Sequence, residues 1–141
     1  MGKINVGRWI LGGIVAGIVG DILDYPVDGV WLAPMWNDQM TALGRTALST
    51  NQIIIFNLFG IVTGLVAIWI YAGIRPRFGP GVKTAIYAGI ATWILAFLVP
   101  NFALMWVPHL FTGHLVGYTT LGALVECVVG AIAGAALYKE A

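Results

Sequence analysis

The sequence predicts an all-α integral membrane protein, with residues 1–141 forming one bundle of four transmembrane helices. Sixty percent of its residues are hydrophobic and only 9% are charged, whereas a soluble domain has about 25% charged residues. A chain this short cannot bury so much apolar surface in one core. It also contains four apolar segments close to the roughly 20 residues that a helix needs to cross a bilayer.

The four segments follow one another along the whole chain. We expect transmembrane helices at about 9–27, 53–74, 82–107 and 115–138. Asp21 and Asp24 interrupt the outer third of the first segment, which makes its apolar pattern the weakest. These two aspartates also occupy the place where a signal peptidase site needs small residues, so we expect the first helix to remain uncleaved.

The basic residues predict the orientation. Arg45 alone falls in the connection between the first and second helices. The other basic residues precede the first helix, join the second to the third, or follow the fourth: Lys3, Arg8, Arg75, Arg77, Lys83 and Lys139. Because cytoplasmic segments carry the excess of Lys and Arg, this pattern predicts that both termini are cytoplasmic.

The long connection between the first two helices predicts a short fifth helix on the outer side. Pro34 suits a first helical turn and Gly44 suits a helix end, which gives a helix over about 34–43. Trp36, Met40 and Leu43 share one face of that helix. This face would either lie in the lipid headgroup layer or pack over the mouth of the bundle, and the sequence leaves both open.

Two carboxylates lie within the first and last helices. A charged side chain in hydrocarbon is costly, so Asp21 and Glu126 should face the bundle interior. Each lies thirteen residues from its nearest basic anchor, Arg8 or Lys139, or roughly 20 Å along a helix. If both anchors share one membrane face, the two carboxylates share one depth. We therefore predict that the first and fourth helices are in contact, with Asp21 near Glu126.

Glycines recur at spacings of three and four on the same helix faces as these carboxylates. Small residues at this spacing allow helix backbones to approach closely in lipid. We predict that the following glycines pack the helices together: Gly13, Gly17, Gly60, Gly64, Gly122, Gly130 and Gly134.

The outer half of the bundle gathers most of the polar side chains. Asp21, Asp24 and Glu126 are candidates for a proton or cation site, with supporting polar residues Asn57, Asn101, Tyr118 and Thr119. The alternative is that each carboxylate is protonated and only bonds neighbouring helices together. For Glu126 the two interpretations stay open, and for Asp24 and Asp28 we favour the structural one.

A metal site is a further hypothesis. His109 and His114 flank the last outer turn and, with Asp24 or Asp28, would supply metal or pH-sensing groups. Their spacing is not a recognised ligand motif, so ordinary hydrogen bonding is the favoured role. No other cofactor is predicted, and bound lipid is expected. The single cysteine, Cys127, excludes an intramolecular disulfide. The net charge of +1 gives no reason to expect nucleic acid as a partner.

Several short patterns resemble a known family. They are Gly29-Val30-Trp31, Ala33-Pro34-Met35-Trp36, Met40 to Gly44, Trp93 to Pro100, and Gly117-Tyr118. Over nearly its whole length the chain resembles an uncharacterised family of small four-helix bacterial inner-membrane proteins. The resemblance implies the topology and the bacterial inner membrane as location. It implies no activity, and the aspartates and Glu126 are not part of it.

With no catalytic constellation and no soluble domain, the sequence favours a non-catalytic integral membrane protein. It would associate with itself or serve as an accessory subunit of a larger membrane complex. One alternative is a small proton- or cation-coupled transporter or channel component that uses the intramembrane carboxylates. A second alternative is a membrane-embedded metal-binding protein or enzyme.

Overall fold

The computed structural model describes residues 3–141, which fold almost entirely as helix. The α-helices are α1 (Val6–Asp24), α2 (Ala33–Ala42), α3 (Thr50–Phe78), α4 (Val82–Trp93) and α5 (Gly113–Leu137). Wider π-helical segments extend two of them: Tyr25–Trp31 continues α1, while Ile94–Leu98 and Asn101–Trp106 continue α4. Four helices are long and apolar enough to cross a membrane, namely Val6–Trp31, Thr50–Phe78, Val82–Trp106 and Gly113–Leu137. We call these the first to fourth spans, and the predicted four-helix membrane class is confirmed.

The second span is longer at both ends than its apolar run. Its start is fixed by a capping box, in which the Ser49 hydroxyl accepts from the Gln52 N–H and the Gln52 side chain accepts from the Ser49 N–H. Such reciprocal bonds satisfy two of the free N–H groups of a helix start. Pro76 does not end the helix, which runs on to Phe78 and stops at Gly79, where φ is 82°.

Both ends of the chain lie at one end of the bundle. The Ala141 N–H donates to the Lys3 carbonyl at 3.3 Å, and Arg75, near the end of α3, pairs with Glu140 at 2.9 Å. The turn between the second and third spans is therefore at this end too, which we call the basic end. The opposite end carries α2 and the turn between the third and fourth spans, and we call it the α2 end.

The first span packs between the second and fourth spans, backbone against backbone. A Cβ atom at Gly13 would lie 2.6 Å from the Cα of Leu65, and one at Gly130 would lie 2.6 Å from the Ala16 carbonyl oxygen. Only glycine leaves room for helices this close. The glycines named from the sequence all face an atom of a neighbouring span in this way: Gly13, Gly17, Gly60, Gly64, Gly122, Gly130 and Gly134.

The short helix α2 packs over the end of the bundle, which is the second of the two placements considered from the sequence. The Trp36 indole packs edge-to-face against the Phe111 ring, with ring centroids 5.4 Å apart. The Thr112 N–H donates to the Gln39 side-chain oxygen at 3.1 Å. These contacts tie α2 to the turn that precedes α5.

Candidate functional site

Three carboxylates from two spans meet towards the α2 end. Asp24 and Asp28 belong to the first span and Glu126 to the fourth, and one carboxylate oxygen from each lies within 4.8 Å of the others. Glu126 is only 8% exposed, and the two aspartates are half-buried. Within residues 3–141 no other three acidic, histidine or cysteine side chains gather in this way. We call Asp24, Asp28 and Glu126 the carboxylate trio.

The π-helical part of the first span positions Asp28. Pro26 has no N–H to donate to the carbonyl four residues before it. From here the backbone hydrogen bonds span five residues instead of four, as in the bond of 2.8 Å from the Leu32 N–H to the Val27 carbonyl. Asp28 lies on this wide turn. Single π-helical turns inside α-helices are frequent at functional sites.

Two donors from other elements hold Asp28 in place. The Thr119 hydroxyl on the fourth span donates to Asp28 Oδ1 at 2.8 Å, and the Trp36 indole N–H on α2 donates to the same oxygen at 2.7 Å. Charge-assisted bonds of this kind are the stronger ones. Asp28 therefore fastens the first span, the fourth span and α2 together.

Glu126 is the least satisfied member of the trio. Its Oε1 is fully buried and has no hydrogen-bond partner in the described chain. A buried, unpaired carboxylate oxygen is expensive, and buried charges in native proteins are paired or bind metals. Glu126 needs a proton or a positively charged group beside it, and residues 3–141 place no such group there.

Repulsion within the trio leads to the same requirement. Two carboxylate charges 4.8 Å apart repel by about 3 kcal/mol at an effective dielectric constant of about 20. The ion pair found among residues 3–141 joins Arg75 and Glu140 at the basic end, so no lysine or arginine neutralises the trio. Oxygen-only ligands suit hard cations such as Ca²⁺, Mg²⁺ or Mn²⁺, and they also suit an ammonium group.

Asp21 lies beside the trio rather than within it. Its carboxylate packs against Gly60 of the second span, where any side chain would collide with it. Asp21, Asp24 and Glu126 line one pocket of about 210 Å³. The first and fourth spans are in contact, as the sequence predicts, and Asp21 and Glu126 face the same cavity.

The four polar residues named as supports have different positions. Thr119 reaches the trio through Asp28. Asn101 donates to the Thr120 hydroxyl at 3.0 Å and links the third and fourth spans. Asn57 donates to the Ile53 carbonyl of its own helix at 2.8 Å, and the Tyr118 ring packs against Trp31 with centroids 5.2 Å apart.

The structure groups Asp28 with the other carboxylates rather than with the histidines. His109 and His114 are both exposed, and neither belongs to the group of ligand side chains. The bonds from Thr119 and Trp36 fix the Asp28 carboxylate beside Asp24 and Glu126 instead. Trp36 is a contact of the site that the sequence did not reveal, since nothing in its pattern points to Asp28.

A comparison of the chain with models of known protein families, with curated proteins and with solved structures found no match. This agrees with the resemblance to a family that has no established activity, and it transfers no function to the residues of the site.

Proposed function

We propose that this multi-pass membrane protein binds a cation inside the bundle, with Asp24, Asp28 and Glu126 as the binding groups. The observation that carries the proposal is the buried Glu126 Oε1, which has no partner in the part of the chain that the structure describes although two further carboxylates lie within 4.8 Å. An arrangement of this kind costs stability unless a positive charge joins it. Intramembrane ionisable residues usually mark ion or substrate pathways.

The site lies towards the α2 end of the bundle. The positive-inside rule assigns the basic end to the cytoplasm, so the trio would lie in the outer half of the membrane. The resemblance to bacterial inner-membrane proteins supports that membrane as the location. The buried cluster of small and aromatic residues closes the other side: Ala16, Ile68, Tyr71, Ala72, Ala85, Ala88, Ala135 and Tyr138. A site open on one side fits a binding or coupling protein better than a pore.

The assembly role that the sequence favours stays a prediction compatible with this site. A self-associating or accessory subunit could bring its cation site to a larger membrane complex. The test is extraction in a mild neutral detergent, followed by size-exclusion chromatography with light scattering to measure the molar mass. A scaffold should elute as a stoichiometric assembly. A protein that elutes as a monomer without other subunits would contradict the assembly role and leave the cation-site proposal unaffected.

The test of the cation site is a stability measurement on purified protein in phosphatidylcholine nanodiscs. A ligand at 100 times its Kd stabilises the folded state by about 2.7 kcal/mol. We expect at least one cation among Na⁺, Ca²⁺, Mn²⁺ and alkylammonium to raise the unfolding midpoint saturably. The effect should be lost in Glu126→Gln and Asp24→Asn.

The matched control is Asp38→Asn. Asp38 is an exposed aspartate on α2 and lies outside the trio, so this variant loses the same charge without touching the site. It should respond to the cation like the natural chain. Equal responses in Glu126→Gln and Asp38→Asn, or no response to any cation, would refute the proposal.

A further inference from the structure

We propose that the cation is organic: an amphiphile whose ammonium head binds the carboxylate trio and whose apolar tail lies in the groove between the second and third spans. This inference rests on the proposed function and specifies its ligand. It follows from three features, namely the size and lining of the pocket, an adjoining apolar groove, and an opening towards lipid.

The pocket beside the trio is larger and more aromatic than a metal site requires. Its volume of about 210 Å³ corresponds to about seven water molecules at about 30 Å³ each. Its wall includes Phe56, Phe59 and Phe97 as well as carboxylates. A metal ion takes oxygen ligands at about 2.0–2.6 Å and would leave these rings unused. An alkylammonium head can contact both the carboxylates and the phenylalanine rings, because aromatic faces attract organic cations.

A second groove of about 180 Å³ continues from the pocket along the seam between the second and third spans. The two cavities share Thr63, Thr92 and Ala96 as lining residues. The Thr63 hydroxyl donates to the Phe59 carbonyl and the Thr92 hydroxyl to the Ala88 carbonyl, so neither offers a free donor to a ligand. The remaining lining is aliphatic, which suits a hydrocarbon tail.

The seam is open to lipid near the α2 end. There the third span is π-helical around Pro100 and packs mainly on the fourth span. Phe56 and Phe59 on the second span are 54% and 65% exposed, and Leu95 on the third is 69% exposed. An amphiphile dissolved in the bilayer can therefore reach the trio sideways, head first, without passing α2.

The ligand must carry net positive charge, which excludes the zwitterionic membrane phospholipids. A phosphate group next to the ammonium would lie among carboxylates, and like charges at such distances repel strongly. No basic side chain is paired with the trio to accept a phosphate. The ligand class is therefore a long-chain amine or quaternary ammonium compound.

The experiment compares three probes by calorimetry in phosphatidylcholine nanodiscs: nonyltrimethylammonium, tetramethylammonium and nonanol. The first carries head and tail, the second only the head, and the third only the tail. We expect saturable binding of nonyltrimethylammonium at one per chain. Glu126→Gln should weaken it at least about tenfold, and Asp38→Asn should leave it unchanged.

A second variant tests the groove separately from the charge. Val66 is 44% exposed and lines the groove but not the pocket beside the trio, so Val66→Phe should fill the seam without disturbing the bundle or the head pocket. It should weaken nonyltrimethylammonium about tenfold and leave tetramethylammonium unaffected.

The possible failures are distinguishable. If tetramethylammonium or Ca²⁺ binds in a Glu126-dependent way as tightly as nonyltrimethylammonium, the tail groove is wrong and the cation site stands. If nonanol binds equally well, or Glu126→Gln binds nonyltrimethylammonium normally, the binding is apolar partition and the inference is overturned. If neither Ca²⁺ nor any ammonium probe binds in a Glu126-dependent way, the proposed function fails as well.

Discussion

The close approach of the first and fourth spans predicts a specific penalty for one methyl group. In Gly130→Ala the new Cβ atom would lie 2.6 Å from the Ala16 carbonyl oxygen, whereas ordinary contacts begin near 3.4 Å. The two helices must therefore separate by about 0.8 Å, the difference between these distances. The atoms that this Cβ would meet all belong to the Ala16 backbone, so no side chain can rotate to make room.

The size of the penalty follows from two opposing effects. Over-packing of a well-fitted interface costs about 1–3 kcal/mol, and alanine is favoured over glycine inside a helix by up to about 1 kcal/mol. The net loss for Gly130→Ala should be about 1–2 kcal/mol. Glu126 lies one turn away on the same helix, so the cation response should weaken too.

The matched control is Gly73→Ala in the second span. Gly73 is also inside a helix, but a Cβ atom there has nothing within 4 Å. This variant keeps only the gain in helix propensity and should be as stable as the natural chain or slightly more stable. Thermal unfolding in one neutral detergent, followed by circular dichroism, compares the two. Equal midpoints for Gly130→Ala and Gly73→Ala would refute the backbone contact between the first and fourth spans.

Three further predictions concern single polar groups. Glu126→Gln should raise the unfolding midpoint in the absence of added cations, because it replaces the buried carboxylate whose Oε1 has no partner among residues 3–141 with a neutral amide; a lower midpoint would contradict this. Trp36→Phe keeps the ring but loses the N–H bonded to Asp28, so hydrogen exchange in α2 should become about tenfold faster, and unchanged exchange would show that α2 is held otherwise. Tyr71→Phe removes the hydroxyl that accepts from the Gly81 N–H and should lower the free energy of unfolding by about 1 kcal/mol, measured by thermal unfolding. An unchanged midpoint would show that this bond does not contribute to stability.

The fold was predictable because its signals are local. Apolar runs of the right length define the four spans, and the glycine stripes identify the faces that meet. The bounds were less accurate, since Pro76 indicates a helix end in the sequence but lies within the last turn of a helix that continues to Phe78. Pro76 has no N–H for the Ala72 carbonyl, so the helix continues past it with one backbone bond fewer.

The site was predictable in part. Glu126 and Asp24 emerged as candidates because a carboxylate in an apolar helix is exceptional. Asp28 was linked to the histidines only as a metal hypothesis, and the sequence favoured a structural role for it. After Pro26 the helix widens, so regular α-helical spacing no longer gives the directions of the side chains. The partner Trp36 comes from a separate helix, and no local pattern in the sequence reports that pairing.

The irregular helices and the acidic residues of the first and fourth spans lie in the same half of the molecule, and the physics of lipid connects them. Backbone that departs from the α-helical ladder is tolerated at membrane depth only where it is buried in protein or lines a cavity. Here the π-helical segments Tyr25–Trp31, Ile94–Leu98 and Asn101–Trp106 lie towards the α2 end, where the trio and its pocket are found. The basic-end half of every span is regular α-helix packed through small residues. The regular half therefore stabilises the bundle, and the irregular half gives up hydrogen-bond regularity to place Asp28 beside Glu126 and to open the seam between the second and third spans.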